Sequence, residues 1–129
     1  MPQKRSAGSL EKDFRTTWFD ELPIGVVILD RDGKFAYVND TFEQLLGRPR
    51  RKILGTPPDM YVPPSDSARL IRDILQLFRG VQIEKMVYEF LRPNGSTKKI
   101  AFVSTPIYGP KRKTGKAVKY ILIVQVELP

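Results

Sequence analysis

The 129-residue chain contains no cysteine and no histidine. Without thiols there is no disulfide framework, no thiolate zinc site, no thiol nucleophile and no cysteinyl attachment of a flavin or other chromophore. Without imidazole the commonest general base, the commonest transition-metal ligand and the usual proximal haem ligand are missing as well, so a His-ligated haem is excluded together with the cysteinyl flavin. Catalysis here would have to rest on carboxylates, lysine, serine, threonine or tyrosine. Long apolar runs are also lacking. None approaches the length of a membrane span, and residues 1–10 carry basic residues without the apolar core of a signal peptide, so the expected location is the cytoplasm.

What is present fits one domain with an appended terminal segment, long enough for a core without disulfides or metals. Apolar residues make up 41% and charged residues 28%, the balance of a globular chain rather than a disordered one. The formal charge is +8, from 22 basic and 14 acidic residues. The excess sits in patches: Lys4-Arg5, 48–52 (RPRRK), Lys98-Lys99 and 111–119 (KRKTGKAVK). Solvated loops account for such patches. The alternative is a basic adaptor that uses 48–52 and 111–119 to bind nucleic acid or an acidic protein partner. Nucleic-acid recognition adds stacking aromatics or a groove-entering helix to the charge, and neither is interleaved here, so nucleic acid is not the expected partner.

Residues 24–47, IGVVILDRDGKFAYVNDTFEQLLG, organise the rest of the chain. The run 24–29 is β-branched and aliphatic almost throughout, the pattern of a central strand buried on both faces. Asp30-Arg31-Asp32-Gly33 predicts a two-residue hairpin turn, since Asp-Gly accepts positive φ, and 35–39 returns as the partner strand. Asn39 and Asp40 supply cap oxygens for a short helix whose apolar face is Phe42, Leu45 and Leu46. Asp40 with Glu43 reads as a capping box, and Gly47 as a left-handed stop. Upstream, Ser9, Glu11 and Asp13 mark the start of an amphipathic helix in which Leu10, Phe14, Trp18 and Leu22 recur every four residues and which Pro23 ends. Its stripe must be covered by the domain's own sheet or by a second subunit, so Leu10, Phe14 and Trp18 are the candidate dimer contacts.

Pro49, Pro57, Pro58, Pro63 and Pro64 exclude a long helix or central strand from 48–65 and leave short turns such as 51–54, closed by Gly55. A second helix is predicted from Ser65-Asp66 to Gly80, with a wide stripe of Leu70, Ile71, Ile74, Leu75, Leu77 and Phe78. Strands follow over 82–92, 98–108 and 118–128, the first two joined at Pro93-Asn94-Gly95-Ser96. Met86, Tyr88 and Phe90 share one face of the first of these. The fold class is therefore α+β, with an antiparallel sheet whose apolar faces are covered on both sides.

Leu22-Pro23-Ile24-Gly25-Val26, Asp30-Arg31-Asp32-Gly33-Lys34, Tyr37-Val38-Asn39 and Leu46-Gly47 resemble the opening of a PAS domain. Ile53-Leu54-Gly55, Pro64-Ser65-Asp66, Asn94-Gly95-Ser96 and the final strand continue in register, so the resemblance covers about residues 20–126. It implies a PAS-like, five-stranded antiparallel sheet with helices packed on one face and the N-terminal amphipathic helix on the other or at a dimer interface. It divides the chain into a tail and helix over 1–20 and a PAS domain over 21–129. The implied function is a sensory and dimerisation module of a signal-transduction protein, without catalysis of its own. The implied partners are a second copy, a small-molecule ligand, and an output domain in the same or a partner protein. Outputs in the family are two-component sensor histidine kinases, cyclic-dinucleotide enzymes and transcription regulators, and no motif of any of them stands in this sequence. Haem-binding members use an axial histidine, while blue-light members and the yellow photoreceptor use a cysteine. A flavin held non-covalently is not excluded, and the cofactor, if any, is not specified by the sequence. Many members leave the last strand through Asp-x-Thr, where 126–129 here reads VELP.

The expected ligand pocket lies between the helix over 66–79 and the sheet. Tyr88, Ser104 and Gln125 are its candidate polar residues, with Arg69 or Arg72 reaching in to pair with the carboxylate of an anionic or amphipathic ligand. The competing expectation is that Met86, Phe90, Phe102 and Leu122 fill the interior. Asp30 and Asp32 read as turn residues rather than an acid/base pair, and no catalytic or metal-ligating set can be assembled.

Overall fold

Four aliphatic residues, Val26–Leu29, form β1, and all four are buried. The computed structural model, which describes residues 16–109 and 117–127, explains why: β1 lies inside a sheet of order β2-β1-β5-β4-β3 with both faces covered. β2 is Phe35–Val38, β3 Met86–Leu91, β4 Thr97–Tyr108 and β5 Val118–Val126, and every pairing is antiparallel. Three helices, α1 (Asp40–Leu46), α2 (Arg50–Ile53) and α3 (Pro64–Phe78), and a 3₁₀ turn (Pro58–Tyr61) connect β2 to β3.

All these connecting segments pack on one face. Phe42 and Leu46 of α1, Ile53 of α2, Tyr61, and Leu70, Ile74 and Leu77 of α3 join Val27, Leu29, Phe35, Tyr88, Phe90, Phe102 and Ile123 in one buried cluster. Phe42 stands edge-on to Phe90 and in contact with Phe35 and Phe102, so a set of touching aromatic rings runs through the aliphatic interior. On the opposite face, Val26, Ile28 and Tyr37 are covered by Phe19 and Leu22 of the N-terminal segment, with Tyr120 and Leu122 beside them.

Local chemistry departs from the sequence reading at several points. The described part of the N-terminal helix is a 3₁₀ turn, Thr16–Glu21, rather than α-helix. Leu10 and Phe14 lie outside the described residues, as do 111–116, and of Trp18 only its place in that turn is described. The β1–β2 connection is longer than a two-residue hairpin. Gly33 N–H donates to Asp30 O and Asp30 Oδ1 accepts from the N–H groups of Asp32 and Lys34, so the aspartate closes the turn and only Gly33, at φ 76°, is left-handed. The Asp40–Glu43 capping box does not form. Asn39 is the cap, and the Glu43 carboxylate reaches forward to accept from Arg50 N–H at the start of α2, while Asp40 pairs with the Arg50 guanidinium at 2.5 Å. α3 begins at Pro64 with no side-chain cap, and its buried stripe is only Leu70, Ile74 and Leu77, leaving Ile71 and Leu75 exposed. Leu122 is on the outer face with Ile28, not in the interior.

Candidate functional site

The sheet's inner face and α3 enclose a cavity of about 30 Å³, lined by Leu70 and Ile74 of α3, Phe42 of α1 and strand residues including Met86, Tyr88 and Phe102. That is room for about one water, and every lining surface is apolar. Tyr88 is the one lining residue with a polar group. Its hydroxyl points out of the cavity and donates to the Asp73 carboxylate of α3. Burial, and then this hydrogen bond, push the Tyr88 phenol well above its ordinary range. Arg69, one turn earlier on α3, lies over the Tyr88 ring at 4.0 Å and pairs with Asp66 at 3.4 Å.

Of the five candidate ligand residues, Arg69 and Tyr88 are therefore brought together, at the outer rim of the α3–β3 contact. The others are elsewhere. Arg72 is exposed on α3. Ser104 is half-buried on β4 opposite Ile123. Gln125 is clamped to Gly25: its side-chain Oε1 accepts from Gly25 N–H at 2.7 Å, and its backbone N–H donates to Gly25 O at 2.8 Å. A Cβ on Gly25 would stand 3.3 Å from both Gln125 Oε1 and Leu45 Cδ1, so a side chain there would have to displace one of them by a few tenths of an ångström.

A second polar cluster, which sequence reasoning saw only as a cap, fastens the N-terminal segment to the sheet. Asn39 is completely buried; Oδ1 accepts from Val26 N–H at 2.9 Å and Phe42 N–H at 3.0 Å, and Nδ2 donates to Phe19 O at 2.9 Å and Ile24 O at 2.8 Å. Tyr37 donates to Asp20 at 2.6 Å, Arg50 pairs with the same carboxylate at 3.2 Å, and Thr41 donates to Leu22 O at 2.7 Å. Burial first and the Asp20 bond second raise the Tyr37 phenol far above its usual value. The signal that could have revealed this cluster is Asn39 itself, a polar residue between an aliphatic strand and an apolar helix. Arg48 and Arg50 of the basic run are engaged too, Arg48 with Leu91 O at 2.6 Å.

An antiparallel five-stranded sheet with a helical layer on one face and a tethered N-terminal segment on the other defines a small α+β domain. The PAS fold family model matches residues 19–125, and the chain belongs to that family. No curated protein matches it in sequence. Among solved structures it is similar to a LOV protein of Rhodobacter sphaeroides, at 22% identity and TM-score 0.74 over 92% of this chain and 68% of that one. It is similar also to the PAS domain of an HTR-like protein from Haloarcula marismortui, at 20% identity and TM-score 0.64 over 98% and 100% of the two chains. A third is the LOV domain of a blue-light activated histidine kinase from Erythrobacter litoralis, at 21% identity and TM-score 0.62 over 82% and 96%. The interior of this chain does not fit a flavin: its cavity of about 30 Å³ is far below the several hundred Å³ of an ordinary ligand site and offers no polar group to a ring nitrogen or carbonyl. Among the described residues no helix is long and apolar enough to cross a membrane, and no cluster of acidic side chains could hold a metal.

Proposed function

We propose that the domain is the sensory and dimerisation module of a signal-transduction protein and performs no catalysis of its own. The observation that carries this reading is the outer face of the sheet. Val103 pairs with Val124, Ala101 with Val126 and Thr105 with Leu122, so β4 and β5 present an apolar strip, with Val103 exposed, beside the ground covered by Phe19 and Leu22. Two copies joined across that strip would bury it and bring their N-terminal segments together. A change in dimer geometry would then reach the strands through the Asp20, Asn39 and Thr41 contacts. Support for the sensory part comes from membership of the PAS family and from a core already filled by side chains, which leaves the surface rather than a bound metabolite as the place of input.

Light scattering tests the dimer. The wild-type chain is expected to be dimeric at tens of micromolar, and Val103→Glu and Trp18→Glu to be monomeric with unchanged circular dichroism. A wild-type chain that stays monomeric at high concentration overturns the reading. Native mass spectrometry of gently purified protein checks the input separately, with only the bare polypeptide mass expected.

A further inference from the structure

Helix α3 carries two apolar rows. Leu70, Ile74 and Leu77 face the sheet, and a second row, Ala68, Ile71, Leu75 and Phe78, runs beside them. Ala68 is exposed, Ile71 and Leu75 are 43% and 53% exposed, and Phe78 is half-buried. The members of the second row recur at intervals of three, four and three residues, the spacing with which one helix seats another. Ile71, Leu75 and Phe78 also form one wall of an open groove of about 150 Å³, whose opposite wall is Arg31, Asp32, Gly33, Pro57 and Asp59. Charges around the row are sorted by side. Arg72 and Arg79 each follow a member of the row on the exposed arc of the helix, and neither forms an ion pair among the described residues. The acids of α3 lie on its other edge, toward β3, where Asp66 pairs with Arg69 and Asp73 accepts from Tyr88. Glu84, the next acid in the chain, stands beside Lys85 in the link to β3. The flank made by Arg72 and Arg79 therefore has no carboxylate to answer it.

We propose that this row and its groove are the docking site for an amphipathic helix of a partner protein, acidic along the flank that passes Arg72 and Arg79. Spacing selects a helix. Apolar side chains at the partner's own heptad positions would enter between Ile71, Leu75 and Phe78, and one of them would occupy the groove. Charge then selects which helix, because glutamates beside its apolar seam meet the two arginines, whereas lysines there meet like charge. The contact runs for about 15 Å along α3, or roughly three turns. A second copy of this chain is disfavoured, since two antiparallel α3 helices joined across the row would set Arg72 of one against Arg79 of the other. The site belongs to the helical layer, so it does not compete with association through the outer face of the sheet.

The test is an NMR titration of the isotopically labelled full chain with a peptide of three Glu-Ile-Ala-Ala-Leu-Glu-Lys repeats, and in parallel with one of three Lys-Ile-Ala-Ala-Leu-Lys-Glu repeats. The two share one apolar seam and differ in the charge that flanks it. The acidic peptide is expected to shift the amide signals of Ile71, Leu75, Arg79 and Gly33 and to bind about tenfold more tightly than the basic one. Leu75→Glu, a change at an exposed side chain, should abolish the shifts while circular dichroism stays unchanged. The double variant Arg72→Glu, Arg79→Glu should reverse the preference in favour of the basic peptide, which mere loss of structure would not do. Equal binding of both peptides, binding of neither, or shifts confined to β4 and β5 overturn the proposal. So do shifts at Leu75 that grow with protein concentration in the absence of peptide, because they assign the row to a second copy.

Discussion

Asn39 shows how much one side chain can hold. Its amide serves four backbone groups: Phe19 O in the N-terminal turn, Ile24 O in the link that follows, Val26 N–H of β1 and Phe42 N–H of α1. Asn39→Ala would strip partners from buried amides and carbonyls that water cannot easily reach, and should cost about 3 kcal/mol or more, read from urea unfolding. The helix cap could be read from Asn39-Asp40 standing before Phe42. The reach back to Phe19 could not, because a cap motif specifies what the oxygen does and leaves the amide nitrogen to tertiary structure. The tyrosines make a second residue-scale case. In the folded protein the phenols of Tyr37 and Tyr88 are raised above the ordinary value of 10.0, so the neutral form is favoured there. Their contribution to stability is complete below about pH 10 and falls as pH rises toward the folded-state values, since the unfolded chain releases these protons first. Thermal melts between pH 9 and 11 should show a smaller alkaline loss for Tyr88→Phe than for wild type, offset by a lower starting stability from the lost Asp73 bond.

At the scale of elements, period and punctuation account for what could be read from sequence. The alternation at Met86, Tyr88 and Phe90 places those side chains on the buried face, and Gly47, at φ 71°, ends α1 where a left-handed residue is required. α3 shows what periodicity misses. Its six apolar residues predict a broad buried face, yet the sheet below offers room for a narrow one, and Ile71 and Leu75 are left beside an open groove against Gly33 and Asp59. Ile74→Ala should therefore destabilise by about 2–4 kcal/mol, and Leu75→Ala by less than about 0.5 kcal/mol, although both belong to the helix's apolar stripe. Chemical denaturation of the two variants checks this directly. The candidate site divides in the same way: Arg69 and Tyr88 meet because α3 lies over β3, while Gln125 is drawn to Gly25 by the β1–β5 pairing, a long-range partnership that no local pattern announces.

For the whole molecule, strand count and antiparallel sense followed from hairpin signals, but the order of strands did not. Nothing local says that β5 inserts between β1 and β4. It does so because β1 is apolar on both faces and needs a neighbour on each side, and only the last strand, also apolar on both faces, can complete the inner and outer layers together. Charge behaves differently at this scale. The basic run 48–52 looked like one patch, whereas Arg48 and Arg50 turn inward to carbonyls and carboxylates, leaving Arg51 and Lys52 exposed.

The clamp between Gly25 and Gln125 spans 100 residues of sequence. During synthesis β1 emerges early and waits for its second neighbour until nearly the whole domain has left the ribosome. Contacts this distant in sequence carry a loop-closure cost and slow folding in general. In the interval, Val26–Leu29 is a bare aliphatic segment with one side of its ladder open, and it is the place where a holding chaperone would find the nascent chain.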